Sequence, residues 1–127
     1  MKFSIPLGSS TLTLMSPRDQ ASLLDIAKAA QSALAFVDGL TLKDFAADAK
    51  TQSAVLYQIA ILGEAVKRLS PELRSQLSAI DWRAIAGMRD KLIHDYGNVD
   101  IKRVWSTLQT SLPQLLTNIE PLLPTRS

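Results

Sequence analysis

The sequence predicts an all-α protein, an antiparallel four-helix bundle with short extra helical turns between its long members. Three observations carry this. Apolar residues return every three or four positions through long stretches, the spacing that gathers them on one side of a helix. Those stretches open on side chains that cap helix starts, a hydroxyl or carboxylate followed by proline or an acidic residue. No stretch after residue 15 alternates apolar and polar as a strand does, and the sequence holds no internal repeat or low-complexity tract.

Taken in order, Ser16, Pro17 and Asp19 place a hydroxyl at the N-cap, proline at the first helical position and a carboxylate at the third, a capping-box-like start. From there Leu23, Ile26, Ala27, Ala30, Leu34 and Val37 form one apolar face, and Gly39 offers a left-handed stop. Thr41 and Asp44 cap a short turn of helix over Leu42 to Ala46. A long helix follows between Asp48 and Leu69, with Val55, Leu56, Ile59, Leu62, Val66 and Leu69 in one stripe. Ser70-Pro71-Glu72 opens a short helix to Leu77, and Asp81 caps a medium one from Trp82 that Gly97 and Asn98 end. Asp100 caps the last helix, whose period runs from Ile101 to Leu122. Pro113 lacks an amide and collides with the carbonyl four residues back, so it should kink or split this helix.

A chain of 127 residues, 46% of them hydrophobic, suits one domain. Residues 16–127 form it. Residues 1–15 read as a leader or disordered extension, with Met15 a candidate initiator; the alternative is a short edge strand over Thr11 to Leu14. Neither a signal peptide nor an apolar run of about 20 residues is present, so no membrane contact is expected. A net charge of +2 does not announce a nucleic-acid binder, and any such role must come from local placement. Without cysteine there is no disulfide, thiol nucleophile or cysteine zinc site, which fits a reducing cytosol and a cytoplasmic protein. The single histidine excludes a multi-histidine metal site, or a two-imidazole mechanism, within one protomer.

Polar chemistry gathers in one place. The run from Gly87 to Gly97 holds Arg89, Asp90, His94, Asp95 and Tyr96. On a continuous helix Asp90 and His94 would lie ~40° apart and Arg89 and Tyr96 ~20° apart, while Arg89 and His94 would be separated by ~140°. Either the guanidinium reaches around or a partner molecule closes that gap.

Arg89, four residues, His94, one residue, Tyr96 resembles the signature of the HEPN superfamily, and in particular its HepT-like branch of ribonuclease toxins paired with minimal nucleotidyltransferase antitoxins. The resemblance extends over Ser16 to Leu123. It includes Lys50, Thr51, Gln52, Ala54 and Val55; Gly63, Glu64 and Ala65; Leu69 to Leu73; Trp82, Arg83 and Ile85 to Arg89; and Val104, Trp105, Leu112 and Pro113. The leader has no counterpart.

The resemblance implies a metal-independent endoribonuclease, without a cofactor, that forms a two-fold homodimer and places two signatures across a shared cleft. Attack of a ribose 2′-hydroxyl on the adjacent phosphorus needs a base, an acid for the departing 5′-oxygen and cationic donors for the non-bridging oxygens. A two-fold dimer would supply two imidazoles and two guanidiniums, which resolves both the single histidine and the ~140° offset. Under this reading His94 is base or acid, Arg89 clamps the phosphate, and Asp90 orients His94 or positions Arg89. Tyr96 contacts a nucleotide or accepts AMP from the cognate antitoxin, whose added bulk and negative charge would exclude RNA. Transfer RNA is the first substrate to test.

Blander assignments stand beside these. A histidine at a helix end also serves as a cap, Asp90 can simply pair within its helix, and Tyr96 can pack its ring on the bundle. Trp82 and Trp105 read as core. Gly63 permits a close helix approach, and Glu64 reads as a cap or a pair within the bundle, with a cleft role the alternative. Lys67, Arg68, Lys91, Lys102 and Arg103 line an RNA path or form a solvated face. The competing function is a non-catalytic helical module that docks a nucleotidyltransferase partner.

Overall fold

A computed structural model describes residues 15–94 and 98–123, with the side chains of Ile93 and His94 outside the description. Residues 1–14 of the expected leader, with the alternative edge strand, and Asp95, Tyr96 and Gly97 lie outside the described residues, whereas Met15, the last residue assigned to the leader, is buried against the core. The described chain is the expected all-α bundle. Its elements are α1 (Pro17–Phe36), α2 (Leu42–Ala46), α3 (Ala49–Lys67), α4 (Pro71–Gln76), α5 (Trp82–Ala86), α6 (Met88–Leu92), β1 (Ile93–His94), β2 (Asn98–Val99), α7 (Ile101–Ser106), a π-helical turn (Thr107–Ser111), α8 (Leu112–Ile119) and a 3-10 turn (Glu120–Leu122).

The predicted caps form, and Asp48, expected only to precede the long helix, caps it as well. Ser16, Asp48, Ser70, Asp81 and Asp100 each accept a hydrogen bond from the backbone N–H three residues on, and Thr41 with Asp44 forms a reciprocal capping box. At the first helix the box is only half made. Ser16 Oγ accepts from Asp19 N at 3.1 Å, but the buried Asp19 carboxylate turns instead to Ser70, accepting from its N–H at 2.8 Å and its hydroxyl at 2.6 Å. One side chain thereby ties the start of α1 to the start of α4. Past α1, Gly39 takes a φ of +80°, the left-handed conformation that its missing Cβ permits.

Helix α1 lies against α3 over most of its length, with Leu23, Ile26, Ala27, Ala30 and Ala33 meeting Val55, Ile59, Leu62 and Val66 in a shared core. Alanines on α1 allow the two backbones to approach closely, and the branched residues of α3 fill the space between them. The C-terminal rod closes the core with Val104, Leu108, Leu112, Leu115 and Ile119. Trp82 is buried and donates its indole N–H to Leu77 O at 3.2 Å; Trp105 is half-buried, its ring 5.5 Å from that of Phe45. Pro113 does interrupt the last helix. The Leu112 N–H bonds back to Thr107 O, five residues away, and α8 starts with Pro113 in its first turn, where no amide is required.

One expectation fails. The medium helix does not run from Trp82 to Asn98. It breaks at Gly87 and ends at Leu92, and the chain turns into a two-stranded antiparallel ladder that pairs Ile93 with Val99 and His94 with Asn98. Pairing competes with helix here because Ile93 and Val99 are β-branched and the Asp100 N–H donates to Leu92 O at 2.9 Å.

Candidate active site

Helix α6 is five residues long, too short to hold itself by intrahelical bonds alone, and is fixed by what it packs on. Leu92 is fully buried and anchors its end. Its start is seated on α3, because Gly63 lets the Ala86 carbonyl come so close that a Cβ on residue 63 would lie 3.1 Å from that oxygen. The close helix approach expected of Gly63 is thus the contact that sets the height of the α5–α6 break.

Arg89 and Asp90 stand on this platform, and both are exposed. Together with Ala60, Gly63, Glu64, Lys67 and Ala86 they line a groove of ≈ 260 Å³ between α3 and α6. Arg89 Nη1 is 3.8 Å from Asp90 Oδ1, a loose pair whose side chains remain 52% and 85% exposed, so the guanidinium is free to engage an anion. Lys67 Nζ lies 3.2 Å from Glu64 Oε2 across the groove wall. Glu64 therefore pairs as expected, yet it does so in the groove. The signal was the spacing of Ala60, Gly63, Glu64 and Lys67, which places all four on the α3 face beside the buried stripe.

The helical angles of the sequence reading do not apply past Leu92. His94 is not one turn above Asp90 on a shared face. Its backbone sits on β1, paired with Asn98, two residues beyond the end of α6. Tyr96 lies outside the described residues. The structure thus brings Arg89 and Asp90 together with Glu64 and Lys67, and brings the backbone of His94 to the ladder that continues directly from α6. The lining of the groove holds two cations and two carboxylates, so the single chain presents no net positive charge there. Among the described residues no group of three or more His, Cys, Asp or Glu side chains is placed to hold a metal, and no helix is long and apolar enough to cross a membrane.

Residues 26–122 match the protein family described as "Ribonuclease HepT-like". "Probable ribonuclease HepT" of Thermococcus cleftensis is 39% identical over 100 residues, 79% of this chain and 91% of that protein. "Putative RNase TTE0752" of Caldanaerobacter subterraneus subsp. tengcongensis is 39% identical over 87 residues, 68% of this chain and 78% of that protein. "Putative RNase MJ0125" of Methanocaldococcus jannaschii is 32% identical over 110 residues, 86% of this chain and 95% of that protein. No solved structure gives a significant match.

Proposed function

Because the chain belongs to the HepT-like ribonuclease family, we propose that it is a cytoplasmic toxin of a toxin-antitoxin pair, a metal-independent endoribonuclease acting on RNA. The observation that carries this reading is Arg89, held exposed on a short platform five residues before the only histidine in the chain. His94 serves as base or acid. A base takes the proton of the ribose 2′-hydroxyl, the 2′-oxygen bonds to phosphorus, and the 5′-oxygen leaves with a proton from the acid. Cyclic 2′,3′-phosphate and 5′-hydroxyl ends result. Arg89 holds the non-bridging oxygens as their charge grows, and Asp90, 3.8 Å away, positions it.

A second copy completes the site. The need for two proton-transfer groups where one chain has one histidine supports a two-fold homodimer. Tyr96, two residues past His94, is the acceptor of AMP from a nucleotidyltransferase antitoxin, which would silence the enzyme. Transfer RNA is the first substrate to try. The test is cleavage of total RNA in EDTA by wild type and His94→Ala, with circular dichroism as the fold control. Cleavage should persist in EDTA and fall about 10²- to 10⁴-fold in the variant. A folded wild type that cuts no RNA but binds a nucleotidyltransferase tightly would replace this reading with a non-catalytic docking module.

A further inference from the structure

The five basic residues that the sequence offers as an RNA path are not equivalent in the structure. Lys67 is paired with Glu64, and Arg68 with Asp25 at 3.3 Å. Lys91 and Arg103 have no acidic partner within 4.0 Å among the described residues, and they line one cavity of ≈ 300 Å³ on the flank of α6 opposite the Arg89 groove. The cavity contains no carboxylate. Its polar lining residues are Lys91, Arg103, Ser106, Thr107 and Ser111, with the Thr107 hydroxyl donating to Arg103 O at 2.9 Å, and its apolar ones are Ala84, Met88 and Leu92.

Two features fix this arrangement before any ligand arrives. The residue after Lys91, Leu92, accepts a backbone hydrogen bond from Asp100 at 2.9 Å, and Asp100 Oδ1 in turn accepts from Arg103 N at 3.1 Å. Two hydrogen bonds thus tie together the backbones that carry the two cations. The second feature is the π-helical turn, which widens the rod at Thr107–Ser111 and sets Thr107 and Ser111 on the cavity wall. We propose that this cavity is a second phosphate subsite, which holds the sugar-phosphate backbone of the RNA strand beside the bond being cut. Lys91 and Arg103 take the phosphate oxygens and Met88 lies under the neighbouring ribose or base. A strand crossing the five-residue helix α6 would meet Arg89 on one flank and this pair on the other. The inference rests on the ribonuclease reading and adds to it where affinity comes from, since the groove of Arg89 is charge-neutral.

The test uses the full chain and a fluorescent 2′-O-methyl RNA oligonucleotide, which has the phosphates but no 2′-hydroxyl to attack. Anisotropy titrations across a salt series compare wild type, Lys91→Gln/Arg103→Gln, Lys91→Arg/Arg103→Lys and, on an unrelated α1 surface, Lys28→Gln. The double glutamine variant should bind at least about tenfold more weakly, with a salt slope shallower by about 1.4, or 0.7 per lost contact. The charge-preserving swap should retain most of the affinity, Lys28→Gln nearly all, and circular dichroism should match throughout. AMP and inorganic phosphate, titrated calorimetrically, identify a free-nucleotide pocket. Loss of their binding in the double variant with RNA affinity intact overturns the proposal. So does unchanged RNA binding in a double variant that folds, and cleavage of ordinary RNA by wild type would then leave the ribonuclease reading standing. Absence of both binding and cleavage by wild type overturns both.

Discussion

Helices α1 and α3 run unbroken for 20 and 19 residues, whereas the stretch from Trp82 to Val99 is cut into two five-residue helices and two strands of two residues. The long pair owes its order to a shared apolar core and to caps made within a few residues of each helix start. The short segments, apart from the Asp81 cap of α5, owe theirs to contacts outside themselves, the Gly63 seat under Ala86 and the Leu92–Asp100 hydrogen bond. Regular helix leaves little room for polar groups to converge. A broken segment laid over a rigid pair can present Arg89 and Asp90 to solvent without weakening the core beneath them.

This division can be broken from either side. Arg89→Ala should lower RNA cleavage about 10²- to 10³-fold, as loss of a charge-stabilising donor does, while chemical denaturation shows stability within about 0.5 kcal/mol of wild type. Ile59→Ala, at a fully buried position on α3, should do the reverse. It should lose about 2–5 kcal/mol of stability, and the cleavage rate per folded molecule at low temperature should stay near that of wild type. A large activity loss in folded Ile59→Ala would show that the two regions are not separable.

Gly63→Ala tests the joint between them. The added methyl would lie 3.1 Å from Ala86 O, so that carbonyl must give by a few tenths of an ångström, and where the backbone at the α5–α6 break resists the shift the cost is about 1–3 kcal/mol. Because Arg89 rides on that break, cleavage should fall as well, by a factor that refolding or cooling does not restore. The smallest effect belongs to the scaffold corner. The Thr51 hydroxyl and then its backbone N–H hold the Asp48 carboxyl below the ordinary aspartate value of 3.8, and the Thr41 backbone N–H and then its hydroxyl do the same for Asp44. A carboxyl lowered on folding stabilises the native state above its unfolded value and loses that contribution as pH falls through its folded one. Melting temperature followed downward from pH 4 should therefore drop more steeply for wild type than for Asp48→Asn.

Much of this was legible in the sequence because the determinants are local. A cap needs a side chain and a backbone N–H three residues apart, so Thr41–Asp44, Ser70 and Asp100 could be read directly, as could the interruption at Pro113. What escaped was set at a distance. Asp19 has the spacing of a capping box, but its carboxylate is taken by a serine 51 residues later. The helical period from Trp82 continues on paper through His94, and only the pairing of Ile93 with Val99 ends it. For the candidate site, the residue types and their order were readable, while the neighbour each flank of α6 faces, α3 for Arg89 and the C-terminal rod for Lys91, emerges only from the packed fold.

The chemistry of the cut ends decides the central claim most directly. Mass spectrometry of fragments released from a defined RNA by wild type should find 2′,3′-cyclic phosphate, or the 3′-phosphate formed when it opens, opposite 5′-hydroxyl ends. These products should be absent with His94→Ala. Fragments ending in 3′-hydroxyl and 5′-phosphate, or the same fragments from the variant at the wild-type rate, would contradict attack by the ribose hydroxyl with His94 moving the proton.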